Sequence, residues 1–591
     1  MKRLIYIGLI SLAAVNVVAQ DTVLNRSVVV EREFQPIIQS AGKVDARPQA
    51  VETEVPEVEV NYSDYTSGDV APTANLNPLL SQPTRFSQPK PLHGWIRGAV
   101  GHPRTLFDFA YKYDDGHSNS LDLFINHDAM WGRRTLSQSD FGFRFTHRYR
   151  ALDVYCGVKG EQDFYTKYGR YYDGTDGYNK LGGLTIKRFG DLQPEDKQTQ
   201  WRARVYVGVK SNPKEDIQYQ AEVGYQVLDV PGIAVEHQVR SEAKVFGKLR
   251  DDRHSLGFRF FMQNNMYTVD TAMFAHRIYN SRHNLRMEPF YEYNGRRVLA
   301  HIGVNLDLNI GKGQMLSGNE NISFAPSPNI RFEAQLAPKW ATIYGKAIGS
   351  FGFGSLQSYL EGNRYMEVIP CVTSKSPAMY KPVDAELGFH FRPHKNLLLE
   401  IHGGYAYFKN SKSYVAFLEP FVMDESHQIL PGTFSDFVSD YHRAKVGAKV
   451  FYHYRDIIQI HLSGDYFYWK LQNITPKARL EDVTKDITLT PGRVYDRPDW
   501  EIKLRIDGRI DEHWSLYSDN NFAGTRWAIT TGNEVHLPAL IDMNLGAQYE
   551  WPELHLALFV QLNNYICRRN HTLYGYQSQL INGVVGVSWR F

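Results

Sequence analysis

Residues 458–468 alternate: Ile458, Ile460, Leu462, Gly464, Tyr466 and Tyr468 stand on one phase, with Gln459, His461, Ser463 and Asp465 interleaved. Successive side chains of a strand point to opposite faces, so this period of two makes one face apolar and the other polar. The division recurs in Ile302, Val304, Leu306 and Leu308 against His301, Asn305, Asp307 and Asn309, and again in 217–227, 541–549 and 554–562. A soluble sandwich also alternates, but its strands average about five or six residues. Many segments here run to about ten or more, the length that crosses a bilayer at a tilt.

Working outward from 458–468, such segments between Leu92 and Phe591 number about 22, and an even count is what a single-chain bacterial outer-membrane barrel has. The connections fall into two interleaved classes, short turns and long loops, as expected of periplasmic and outer connections. Short ones are 212–214, 250–253, 294–296, 337–339, 392–396, 455–456, 511–513 and 551–553; long ones are 161–197, 267–283, 353–382, 409–440, 472–498, 523–538 and 565–579. The connection at 229–232 is short where an outer loop is due. The expected fold class is all-β, a transmembrane antiparallel β-barrel of about 22 strands.

Composition fits fine interleaving, because 37 Tyr, 32 Phe and 10 Trp coexist with a polar mean hydropathy of -0.41. With 66 basic against 64 acidic side chains, the chain lacks the basic excess of a nucleic-acid binder. Cys156, Cys371 and Cys567 are odd in number and far apart, so neither a disulfide framework nor a structural zinc site is indicated. Cys156 shares the apolar phase of Leu152 and Val154 and should face lipid. His301, His390, His402, His453, His461 and His555 fall on polar phases, without ligand spacing on one strand, and are read as lumen residues rather than metal ligands. No phosphate loop, nucleophile elbow or zinc-binding helix motif is present, so no catalytic residue, cofactor or metal is assigned.

The ends of the chain carry their own signals. Residues 1–19 open with Lys2 and Arg3, continue through an apolar run, and close with Val17 and Ala19, the pattern of a signal peptide. Residues 20–90 are poor in aromatics and hold the acidic group Glu52, Glu54, Glu57 and Glu59, so they are read as an extended or partly disordered segment able to occlude the lumen. Residues 91–591 form the barrel. At its end Val585, Val587, Trp589 and Phe591 alternate with Val584, Gly586, Ser588 and Arg590, and the chain stops on the aromatic. That row is similar to the C-terminal signal by which outer-membrane assembly machinery recognises barrels for insertion. The loop beyond Glu161 carries Tyr165, Tyr168, Tyr171, Tyr172 and Tyr178 among Asp and Gly, which makes it a candidate ligand loop, although aromatics can also pack such a loop on itself.

With the strand count, the leader and the terminal Phe together, the chain resembles barrels of the TonB-dependent receptor superfamily. Asp21, Thr22 and Val23 look like the start of a TonB box, the extended segment that pairs with TonB by strand addition. The chain departs from the family in one respect: about 70 residues precede the first strand, too few and too polar for the globular plug. The resemblance implies an integral protein of the Gram-negative outer membrane, a receptor-like channel for uptake of a small or medium solute. Its expected partners are outer-membrane lipid, TonB or a surface lipoprotein, and no nucleic acid. The alternative is a non-transporting structural or interaction barrel with partner-binding outer loops; a barrel enzyme stands behind both.

Overall fold

The computed structural model describes residues 93–591 except 133–134, 172–196, 213–214, 250–252, 270–280, 312–321, 338–339, 353, 369–377, 419–420, 425–426, 430–431, 456 and 476–488. The leader, the 20–90 segment with Asp21, Thr22 and Val23, and Tyr172 and Tyr178 therefore lie outside the described residues.

Twenty-four strands share one hydrogen-bonded sheet; two of them, Arg526–Thr530 and Glu534–Leu537, form a hairpin in an outer loop, and the other 22 make the barrel. Its first strand, Gly94–His102, pairs with Arg104–Asp114 on one side and with the last strand, Asn582–Arg590, on the other. Gly94 and Phe591 exchange both backbone hydrogen bonds at 2.9 Å, which closes the ring where the chain enters and leaves it. Closure leaves no strand edge, the condition for spanning lipid with β-structure. Among the described residues no helix is long and apolar enough to cross a membrane.

Burial runs inside out. Val205, Val207, Ile302, Val304, Ile401, Val446, Leu462, Leu558 and Val560 are exposed on the outer face, whereas Asn265, Glu288, Asp307, Asn309, Glu400 and Asp507 are buried. Lipid covers the first set and the lumen holds the second, so each strand needs opposite chemistry on its two phases. Register keeps the phases together: Leu462 faces Val450 and Leu504 on its two neighbours, and His461 faces Phe451 and Arg505. Exposed aromatics gather near both ends. Tyr113, Trp340, Tyr452, Trp514 and Trp589 stand toward the short turns, and Trp131, Trp201, Tyr225, Tyr405 and Tyr468 toward the loops, as in the girdles at membrane interfaces. Cys156 is exposed on the outer face, as its phase requires.

The expected short turns all fall between barrel strands, including the tight outer connection between Ile217–Val230 and Ala234–Lys248, where Ile233 N–H bonds Val230 C=O at 3.0 Å. The expected long loop 409–440 is corrected. Strands Leu397–Ala416 and Phe434–Tyr454 run 20 and 21 residues and stay paired from Ser411↔Ser439 to Ala416↔Phe434. Their outer ends are buried on both faces by neighbouring loops, so the alternation that betrays a half-buried strand is missing there. Short hairpins also occupy two of the expected loops, at 526–537 and 571–577.

Candidate functional site

The outer mouth of the barrel holds an apolar core made by loops. Leu356, Tyr359 and Leu360 of the helix Leu356–Gly362, with Met366 and Val368, pack against Leu228, Val230 and Ala234 on the strand tips and against Phe434, Ala528, Leu537, Leu573 and Tyr576 from four other segments. Ser355 caps this helix through Ser358 N–H at 3.1 Å, and Ser358 Oγ returns a bond from Ser355 N–H at 2.9 Å. A seven-residue helix is too short to stand alone in water. Its stability comes from what it is docked on.

The docking is polar on the lumen side. Glu236, 1% exposed on the strand Ala234–Lys248, accepts the Leu356 N–H at 2.6 Å and the Gln357 N–H at 3.4 Å, so a wall carboxylate satisfies two free donors at the helix start. Gln226 bonds Gln357, and Arg202 reaches Glu361 at 3.3 Å while holding Glu161 at 2.7 Å. Tyr165 donates to Arg364 C=O at 2.6 Å and receives Gln200 at 2.8 Å.

Aromatic and backbone contacts lock the loops to one another. Tyr365 stacks on Tyr576 with centroids 3.6 Å apart, and Tyr168 packs edge-on to Tyr576 at 4.9 Å while donating to Gln577 C=O at 2.8 Å. Tyr576 hydroxyl reaches Gly432 C=O at 2.5 Å, and Lys412 sits over the Tyr359 ring at 3.6 Å. The hairpin at 526–537 joins through Thr531 N–H to Ala416 C=O at 2.9 Å and through Arg526 to the carbonyls of His571 and Thr572. Glu534 clasps the end of the preceding loop by bonding Thr490, Arg493 and Tyr495. Asp496, buried in this cap, accepts Tyr414 N–H at 3.0 Å, and burial pushes its carboxyl up to about 6.

Below the cap the lumen wall is a set of paired charges. Glu400 lies within 3.3 Å of His390, 3.2 Å of both His402 and Lys449, and accepts Tyr344 hydroxyl at 2.8 Å. His402 also meets Asp465 at 2.7 Å; Glu288 takes His301 at 2.9 Å and Asn329 at 2.7 Å; Arg505 holds Asp507 at 2.8 Å. Pairing of this kind rigidifies a polar wall and cancels most of its net field. Of the six histidines that sequence placed on polar phases, His301, His390 and His402 are partners of carboxylates, whereas His461 packs edge-on to Phe451 and His555 lies in the turn at 552–555. A second stretch is different: Asn265, Asn284 and Asn309 are fully buried beside Arg282, and Arg282 Nε and Nη1, Asn265 Nδ2 and both polar side-chain atoms of Asn309 have no hydrogen-bond partner among the described residues.

No family model and no curated protein matches this sequence. Solved structures do. The FrpB iron transporter from Neisseria meningitidis matches with a TM-score of 0.61 at 8% identity, covering 85% of this chain and 82% of that chain. The copper transporter OprC gives 0.60 at 11% identity over 86% and 84%, and the siderophore receptor PiuA from Acinetobacter baumannii gives 0.58 at 10% identity over 86% and 82%. The fold is that of these receptor and transporter barrels. These neighbours are transporters and receptors rather than enzymes, and at such identity the likeness speaks for the fold alone.

On this barrel the residues singled out from sequence take definite places. Tyr165 and Tyr168 are in the cap, and both contact Tyr365. Tyr171 ends the short helical turn Tyr168–Tyr171. Val585, Val587 and Trp589 are exposed on the outer face, and Phe591 packs on Trp589 at 5.1 Å and on Tyr111 at 6.4 Å. Sequence reasoning missed Glu236, which reads as one more polar-phase residue, and Phe434, which lies inside the segment taken for loop.

Proposed function

We propose that this chain is a transport protein of a Gram-negative outer membrane, a receptor-like channel that takes up a small or medium polar solute through a lumen whose outer mouth is gated by its own loops. The observation that carries the reading is the pairing of an apolar cap with a polar wall, joined by contacts from Glu236 and Arg202 that can exchange for water. Solute arriving outside would meet the cap and the tyrosine-bearing loop of Tyr165, Tyr168, Tyr171, Tyr172 and Tyr178. Displacement of the helix Leu356–Gly362 would then open a path lined by amides and balanced charge, which suits a polar solute better than an apolar one. The same proposal keeps Asp21, Thr22 and Val23 as the TonB-pairing strand, residues 20–90 as a lumen-occluding segment, and Val585, Val587, Trp589 and Phe591 as the insertion signal.

The test is liposome swelling with sugars of graded size. Glu236→Ala removes the carboxylate that holds the helix start, so it should speed swelling over the wild-type chain while the barrel stays heat-modifiable on gels. Swelling by neither protein at any solute size would favour the non-transporting interaction barrel instead.

A further inference from the structure

Polar atoms without partners gather in one part of the lumen wall. Gln238, Asn265 and Arg282 stand side by side on the strands Ala234–Lys248, His254–Val269 and Ser281–Asn294, and the next row toward the short turns is Arg240, Gln263, Asn284, Asn309 and Ser323. The row above holds Glu236, which bonds the cap helix, and Tyr267, which is buried in the cap core, so the patch begins one row below the cap. Arg282 lies over the Tyr267 ring at 5.3 Å. Asn265, Arg282, Asn284 and Asn309 are each at most 1% exposed, which shuts them off from bulk water. Yet Asn265 Nδ2, Arg282 Nε and Nη1, Asn284 Oδ1 and both polar atoms of Asn309 have no partner among the described residues. On the neighbouring wall the usual orphan is a single guanidinium Nε, at Arg202, Arg204 and Arg259, whose terminal nitrogens are held by Glu161, Glu222 and Glu288.

The free groups discriminate between ligand chemistries. Asn309 offers one donor and one acceptor whichever way its amide is turned. A carboxylate or phosphate supplies acceptors only, and a metal ion takes up acceptors only and is repelled by Arg282, so either leaves half of that amide unsatisfied. A hydroxyl group donates one bond and accepts two. Charge points the same way. In these two rows and the one on either side, Arg240, Arg282 and Arg286 are matched by Glu236, Glu242 and Asp307, with Arg286 on Asp307 at 2.6 Å, so no net charge draws an ion to the patch.

We propose that Gln263, Asn265, Arg282, Asn284 and Asn309 form a binding site for a neutral, hydroxyl-rich solute, a sugar or polyol, that becomes accessible when the cap lifts. This deepens the transport reading, on which it rests for the route by which solute arrives. The test is calorimetric titration of the mature chain in nanodiscs with glucose, galactose, maltose, sucrose and sorbitol, and with gluconate and inorganic phosphate as charged comparators. At least one neutral probe should bind, and more tightly than either anion. The double variant Asn284→Leu, Asn309→Leu should weaken that binding tenfold or more. It should stay heat-modifiable on gels, because the only bond it removes is the long one from Asn284 Nδ2 to Gln263 C=O at 3.5 Å. Phe434→Ala, which loosens the cap, should tighten binding severalfold, since a larger share of molecules presents the site. Binding of no neutral probe by either the wild-type chain or Phe434→Ala would overturn the proposal and leave the amides to buried water. An affinity unchanged in the double variant, or an anion bound more tightly than every neutral probe, would overturn it too. Binding without liposome swelling would keep the site and remove the transport reading; swelling without binding would do the reverse.

Discussion

The barrel wall and the cap in its mouth obey opposite rules. On the wall, apolar side chains such as Leu462 and Val446 are exposed and carboxylates such as Glu400 and Asp507 are buried. In the cap, Leu356, Phe434 and Tyr576 are buried as they would be in a soluble domain. The difference follows from the surroundings: lipid outside and polar lumen inside dictate the wall, whereas water outside dictates the cap. Two units with separate driving forces can also open separately, and the cap is the smaller one.

The largest break in that comparison should come from Phe434→Ala. Emptying a fully buried aromatic site costs about 3 to 5 kcal/mol, here charged to the cap. Hydrogen exchange at 356–368 should accelerate strongly while 458–468 stays protected; acceleration in both would mean that cap and wall are one unit. On the wall, Leu462→Arg puts a charge against lipid and should cost about 2 to 4 kcal/mol, well beyond His461→Arg, whose side chain faces the lumen. Reversible urea unfolding in lipid measures both, and equal losses would reverse the assigned phase.

How much of this was legible depends on which rule applied. Period-two segments such as 458–468 and 298–310 reveal themselves because their two faces meet different media. The strand ends at 411–416 and 434–439 do not, because loops bury both faces and the alternation disappears. The cap is equally hidden: Tyr165 and Tyr168 stand out by type, but their partners Tyr365 and Tyr576 lie about 200 and 400 positions away in the chain, and nothing in local spacing joins them.

Smaller effects sharpen the cap itself, through two carboxylates of opposite sign. An exposed aspartate titrates near ~3.9, so Asp496, held at about 6, keeps a proton in the docked cap that the open cap releases. Its contribution is complete below about pH 4 and is lost as pH rises through 6, a change of roughly 3 kcal/mol. Asp496→Asn should flatten the pH dependence of exchange at 411–416 over that window; an unchanged slope would contradict the assignment. Glu534 behaves the other way. Burial opposes its charge, yet the bonds from Tyr495 and Thr490 and the charge of Arg493 hold its carboxyl below the usual range. Its clasp is therefore complete above that range and is lost as pH falls through it, and Glu534→Gln should weaken the 489–499 segment at neutral pH more than at pH 3, by less than Phe434→Ala weakens the cap.

The most direct test is single-channel conductance of the mature chain beside a variant in which residues 354–378 are replaced by a short Gly-Ser turn. A cap that closes a polar lumen predicts a wild-type protein that is shut or conducts rarely and a variant that stays open. Equal, steady conductance in both, or a variant as silent as the parent, would contradict it.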